Sequence, residues 1–222
     1  MAVSGRSDRL IRGYAALLLL LAAAVTSAAA SEKPGAFDYW ILALSWGPQY
    51  CKSNPADPQC QEPHGFVVHG LWPQYETGYP DYCGPRLEQL PEDLEQRMLP
   101  LMPSVKLIRH QWRKHGSCSG YAPKEYFLQL ERVYRRLVLP PELASPAQRV
   151  QTSPTALEQR FIELNPALRP SAIALQCRGR DLKEVWICLD RAFEPRACGR
   201  EVDDRCRSDI SIRALRATQQ AR

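Results

Sequence analysis

Residues 110–118 read HQWRKHGSC, which sets His110 and His115 five residues apart with Gln111 and Lys114 between them. The chain has four histidines, His64, His69, His110 and His115, and half of them fall in this one segment. On a helix each residue advances by about 100°. With His110 at zero, Lys114 lies near ~40°, Gln111 near ~100° and His115 near ~140°, so all four project from one side. Arg109 and Arg113 extend the positive charge along its edge. A zinc helix of the H-E-x-x-H kind spaces its histidines at i and i+4 and uses the glutamate as general base. The wider spacing and the glutamine in that place argue against a metal, and no cofactor is expected.

A phosphodiester suits these groups better. Cleaving RNA without a metal needs a base for the 2′-hydroxyl proton, an acid for the leaving 5′-oxygen, and cations against the charge that builds on the phosphoryl oxygens. Imidazole serves as either base or acid near neutral pH, and lysine supplies a compact cation. Base and acid must stand on opposite sides of the phosphorus, which one short helix cannot arrange. His69, toward the end of GFVVHGLWP (65–73), is the candidate from elsewhere in the chain. Gly70 lets the backbone come close there, and Trp72 offers an indole on which a base can stack. His64, beside Pro63 in a loop, is assigned no role.

The elements that must hold these residues are legible in outline. FDYWILALSW (37–46) has the length and composition of a buried strand, and a proline-containing loop bracketed by Cys51 and Cys60 follows it. GFVVHGLWP begins as a β-branched strand that is expected to stop at Gly70 and Pro73. Ser104 is placed to cap a helix that runs to a stop at Gly116. Over 124–138 the residues Tyr126, Phe127, Leu130, Val133, Tyr134, Leu137 and Val138 form one apolar stripe of a core-packing helix. SPTALEQRFIELNP opens a further helix with Ser153 as cap and Pro154 in the first turn. SAIALQC and EVWICL read as two more strands, and the last ~10 residues as a polar, loose end. Helices grouped between strands at both ends predict a single α+β domain around an antiparallel sheet.

The ends and the composition set the setting. Arg6, Arg9 and Arg12 precede an apolar run from Ala15 to Val25, and SAAAS follows with Ala28 and Ala30 before Ser31. This is the pattern of an export signal cleaved after Ala30, its apolar core far short of the ~20 residues of a spanning helix. Removal leaves residues 31–222 as one domain of 192 residues, and no stable membrane association is expected once the signal is gone. All eight cysteines lie in that domain without a C-x-x-C spacing, which points to disulfides in an oxidising compartment rather than to zinc. Its formal charge is +3, from 26 Lys+Arg against 23 Asp+Glu, a weak field that leaves polyanion binding to local clustering. Asn54 and Asn165 both precede proline, so there is no N-x-S/T site, which favours a periplasm over a eukaryotic secretory route.

FVVHGLWPQ (66–74) and HQWRKHGSC (110–118) resemble the two signature segments of the ribonuclease T2 family, H-G-L-W-P and H-E-W-x-K-H-G-[ST]-C, in the family's order and spacing. The opening FDYWILALSWGPQYC is similar to the family's first strand and cysteine, and the likeness covers essentially the whole mature chain. The resemblance implies a disulfide-stapled α+β fold and metal-free endonucleolytic cleavage of single-stranded RNA through a 2′,3′-cyclic phosphate, with low base specificity. It implies that His69 is the general acid, His115 the general base, His110 a phosphate holder and Lys114 the stabiliser of the transition state, with Trp72 lining a base pocket. Chain order and the resemblance together give the pairings Cys51–Cys60, Cys83–Cys118, Cys177–Cys206 and Cys188–Cys198. The chain departs from the pattern at Gln111, where glutamate is usual, and at Gln74, where some members carry an aspartate that selects among bases. A monomeric periplasmic or secreted endoribonuclease is the leading expectation. A catalytically weak RNA- or partner-binding relative, motivated by Gln111, and a disulfide-rich extracellular binding module stand as alternatives.

Overall fold

The apolar run near the start of the domain forms β1 (Tyr39–Trp46), buried at every residue. Such a run without alternation belongs to a strand covered on both faces. In the computed structural model, which describes residues 33–84 and 90–215, β1 lies between two antiparallel partners. These are β2 (Phe66–Gln74) and β5 (Asp181–Leu189). On β5 also pairs β4 (Ile173–Arg178), and the three-residue strands β3 (Val150–Thr152) and β6 (Ile210–Ile212) complete a six-stranded sheet. Its order is β2-β1-β5-β6-β3, antiparallel except for one parallel pairing of Asp181 with Ser211. The proposed export signal and its cleavage site lie outside the described residues, as does most of the polar end.

Among the described residues five helices surround this sheet: α1 (Gly47–Ser53), α2 (Glu92–Met98), α3 (Val105–Lys114), α4 (Pro123–Arg136) and α5 (Pro154–Leu164). Two begin on the expected caps. Ser104 Oγ accepts from Leu107 N at 3.3 Å and Ser153 Oγ from Ala156 N at 3.1 Å, each satisfying a donor the first turn leaves free. The segment expected as a proline loop instead opens with α1, because Pro48 sits in the first turn, where a missing N–H costs nothing. The apolar stripe of α4 is shorter than expected. Tyr126, Phe127, Leu130 and Val133 are buried, but the helix stops at Arg136 and Val138 is 51% exposed.

The two faces of the sheet have different tasks. Trp40, Leu42 and Leu44 of β1, with Val68, Leu71, Val185 and Ile187, meet Ile108, Trp112, Phe127, Leu130 and Phe161 of the helices in the main core. Burial of a large apolar side chain stabilises by about 1.5–3 kcal/mol, so Ile108 and Trp112 fix the rotation of α3 about its own axis. Tyr39, Ile41 and Ala43 point the other way and pack with Trp72, Trp186 and the Cys188–Cys198 region.

β2 does not stop at Gly70 and Pro73 as expected but runs to Gln74. It has a single neighbour in the sheet, and a proline is tolerated on such an edge. Within it the register slips. Ala43 pairs with Gly70 and Leu44 with Val68, which leaves His69 as the extra residue of a β-bulge. The alternation resets around it, so Val68 and Leu71 both face the main core while Trp72 faces the opposite side.

Candidate active site

His69 is aimed by that bulge. Its Nδ1 lies 3.1 Å from Oε1 of Glu184, two strands away on β5. Strands in a sheet are ~4.8 Å apart, so two long side chains can meet across β1 only where the residues between them are small. Ala43 and Ser45 fill that place. Glu184 is 3% exposed and takes further contacts from Trp186 Nε1 at 2.8 Å, Lys183 Nζ at 3.3 Å and Ser45 Oγ at 3.4 Å. Burial alone would raise its carboxyl, but His69, Lys183 and Trp186 outweigh burial and hold it down at about 2, so it is ionised.

α3 packs against β2 and supplies the other half of the site. Gln111 is 1% exposed, on the helix face turned inward with Ile108 and Trp112, and its Oε1 accepts from Trp72 Nε1 at 2.6 Å. Gly70 makes this possible, since a Cβ there would overlap both partners of the bond. His115 is the C-cap of α3 rather than part of its regular turns, with φ −116° and ψ −48°. The glycine after it is required by packing: a Cβ on Gly116 would stand 2.5 Å from the Trp112 ring and 3.0 Å from Tyr126.

His115 is 6% exposed and its Nδ1 is enclosed without a hydrogen-bond partner. An unpaired buried polar atom costs about 1–3 kcal/mol, an expense that proteins concentrate at functional sites. Burial first, then Lys114, His69 and His110, push its imidazole down to about 2, so the ring is neutral. His110 is also lowered, by burial and then by Lys114, His69, Arg113 and Lys106.

One cleft of about 410 Å³ is lined by His69, Trp72, Gln74, His110, Gln111, Lys114 and His115 together. The Trp72 ring touches both outer imidazoles, edge-on to His69 at 5.0 Å between centroids and stacked on His115 at 5.2 Å. Gln74 is buried, and its Nε2 donates to the carbonyl of Pro73 at 2.8 Å. Two residues fall elsewhere. His64 lines a separate hollow beside Cys51 and Cys60. Arg109 does not add to the charge at the cleft, because Glu95 holds its guanidinium through two bonds of 2.7 and 2.9 Å.

Sequence reasoning missed Glu184, Trp186 and Tyr79. Tyr79 lines the cleft from the segment after β2, and Lys114 Nζ sits 5.1 Å from its ring centre. A carboxylate inside the apolar run EVWICL was the available signal for Glu184. The segment with Tyr79 is tied to the end of α3 by Cys83–Cys118 and by Tyr82 N donating to Lys114 O at 3.0 Å. The other bridges join Cys51 to Cys60, Cys177 to Cys206 and Cys188 to Cys198. Among the described residues, no group of three or more His, Cys, Asp or Glu is placed to hold a metal ion.

Sheet, bridges and cleft define a disulfide-stapled α+β enzyme that brings imidazoles from a strand and a helix end to one site. Residues 37–198 match the family model described as the Ribonuclease T2 family, and the chain belongs to that family as a T2-type ribonuclease. A ribonuclease from Aeromonas hydrophila is 37% identical over 160 residues, covering 71% of this chain and 74% of that one. A probable ribonuclease from Haemophilus influenzae is 29% identical over 178 residues, covering 72% of this chain and 61% of that one. Among solved structures, an RNase-related protein from Calystegia sepium is similar with a TM-score of 0.64 at 21% identity, over 81% of this chain and 98% of that one. RNase NT in complex with 5'-AMP gives 0.55 at 21% identity, over 80% and 98%. These two carry the fold.

Proposed function

We propose that the enzyme cleaves single-stranded RNA by transphosphorylation, without a metal and with low base specificity. His115 takes the proton of the 2′-hydroxyl, the 2′-oxygen attacks phosphorus, and His69 gives a proton to the 5′-oxygen as its bond to phosphorus breaks. The products are a 2′,3′-cyclic phosphate and a free 5′-hydroxyl. Lys114 stabilises the charge on the phosphoryl oxygens, His110 donates a hydrogen bond to the phosphate, and Trp72 and Gln74 border the base. Gln111 holds Trp72.

The observation that supports this best is the pair of unlike environments met by two imidazoles beside one indole. His115 is buried among cations and kept neutral, as a base must be. His69 comes from a different element, β2, and its Nδ1 faces a carboxylate, which leaves Nε2 for the cleft, as an acid requires. The test is digestion of single-stranded RNA in EDTA with detection of product ends. Cyclic-phosphate ends are expected; RNA bound without turnover would point instead to the weak, binding relative.

We also propose that residues 1–30 are an export signal and 31–222 the working domain, periplasmic or secreted and monomeric. Four disulfides fit an oxidising compartment. Among the described residues no helix is long and apolar enough to cross a membrane. Mass spectrometry of the exported protein should find Ser31 at its N-terminus.

A further inference from the structure

The carboxylate of Glu184 is fixed without help from His69. Ser45 on β1 and Lys183 on β5 reach Oε1, and Trp186 on β5 holds Oε2, all in the middle of the sheet. His69, by contrast, belongs to the bulge of an edge strand, where no ladder position sets its ring. Of the two, the imidazole is therefore the group that is held. A carboxylate only accepts, so the 3.1 Å contact requires a hydrogen on Nδ1 of His69 and turns Nε2 toward the cleft.

The other charged groups around His69 do not offer this. His110, Lys114 and His115 face it from α3 and its cap, and all are cationic or neutral. Glu76 and Glu201 also line the cleft but are engaged by other groups: Glu76 pairs with Arg196 at 2.7 Å and Glu201 accepts from Gly78 N at 2.9 Å.

We propose that Glu184 is a positioning residue for the reaction, locking His69 in the Nδ1–H form so that Nε2 delivers the proton to the leaving oxygen. This assignment rests on the acid role proposed for His69 above. A carboxylate behind a histidine acts this way in hydrolase triads, by fixing tautomer and orientation rather than by taking the proton itself.

The experiment compares wild type with Glu184→Gln, which keeps the shape and an acceptor oxygen but removes the charge. Expected are a fall in kcat of about 10- to 100-fold with a KM within about two-fold. Glu184→Asp, which retains a carboxylate acceptor, should recover part of the lost kcat. A lower Tm with kcat and KM unchanged would mean a purely structural carboxylate and would overturn the proposal. Ring ¹⁵N shifts of His69 in the wild-type enzyme test it without any variant. Nδ1–H in the neutral ring is expected, and Nε2–H would overturn it. Wild-type digests without cyclic-phosphate ends would overturn the transphosphorylation mechanism and the acid role with it. The ¹⁵N measurement would still decide separately whether Glu184 sets the tautomer.

Discussion

Gln111 holds Trp72 by its indole N–H at 2.6 Å, and the indole so held stacks on His115. The amide thus acts on the buried imidazole through an aromatic ring rather than by touching it. Gln111→Glu keeps an acceptor for Trp72 and adds an anion near His110 and His115, which favours their charged forms. The acidic limb of the kcat/KM profile should therefore move upward in pH. Gln111→Ala leaves the indole N–H unpaired and should lower kcat. The check is a pair of pH–rate profiles at matched ionic strength with folding followed by circular dichroism; an acidic limb that stays in place would remove the electrostatic link.

His115 is held down at about 2 by burial and neighbouring cations, so its ring stays neutral, as the proposed base must be, well below the ordinary imidazole range. Wild-type kcat/KM should accordingly stay near its plateau on the acidic side of pH ~6.5. A decline centred on that value would mean that the base titrates as a solvated imidazole.

His69→Ala and His115→Ala should each lower turnover by about 10² to 10⁴, the usual worth of a positioned proton transfer, with the fold retained. His64→Ala, in its separate hollow, should leave turnover unchanged. A rate within a few-fold of wild type for either cleft variant would take that histidine out of the mechanism.

Opening Cys83–Cys118 by serine substitution at both positions should lower stability by about 2–4 kcal/mol, because the bridge closes a long loop. It also leaves the segment bearing Tyr79 tied to the end of α3 by the Tyr82 N–Lys114 O bond without the bridge, so KM should rise more than kcat falls. Thermal melts and steady-state kinetics on the same preparation separate the two effects.

Glu158, on α5, is raised to about 7 by burial and then by its hydrogen bond to Asp204 and the negative charge there. An acid raised on folding adds stability that is fully present below its unfolded value and is lost as pH rises through the folded one. The urea midpoint should therefore fall between about pH 5 and pH 8, and Glu158→Gln should flatten that fall. A slope equal to wild type in the variant would exclude this pair as its source.

Local signals in the chain located much of this site. A capping serine and the burial of Ile108 and Trp112 set α3 and hence His110 and Lys114, and each is readable within a few residues. The bond between His69 and Glu184 is of another kind, spanning 115 positions and depending on β5 lying next to β1. Nothing within EVWICL tells an inward glutamate from an outward one until the strand order is known. Arg109 shows the reverse error: helical geometry placed it beside the cleft edge, but Glu95 on α2 holds its guanidinium. The short helix α1 was hidden because prolines look alike in a loop and in a first turn.

The bulge at residue 69 separates what the sheet needs from what the chemistry needs. On one side of it Val68 answers Leu44, and on the other Gly70 answers Ala43, so the ladder is complete with His69 left out of the count. A chain lacking that single residue would close into an uninterrupted strand, with Leu71 still in the core and Trp72 still in the cleft. The proposed proton donor, His69, is an insertion in an otherwise self-sufficient strand. Architecture and activity can therefore part company in one deletion, leaving a scaffold that folds, binds and does nothing further.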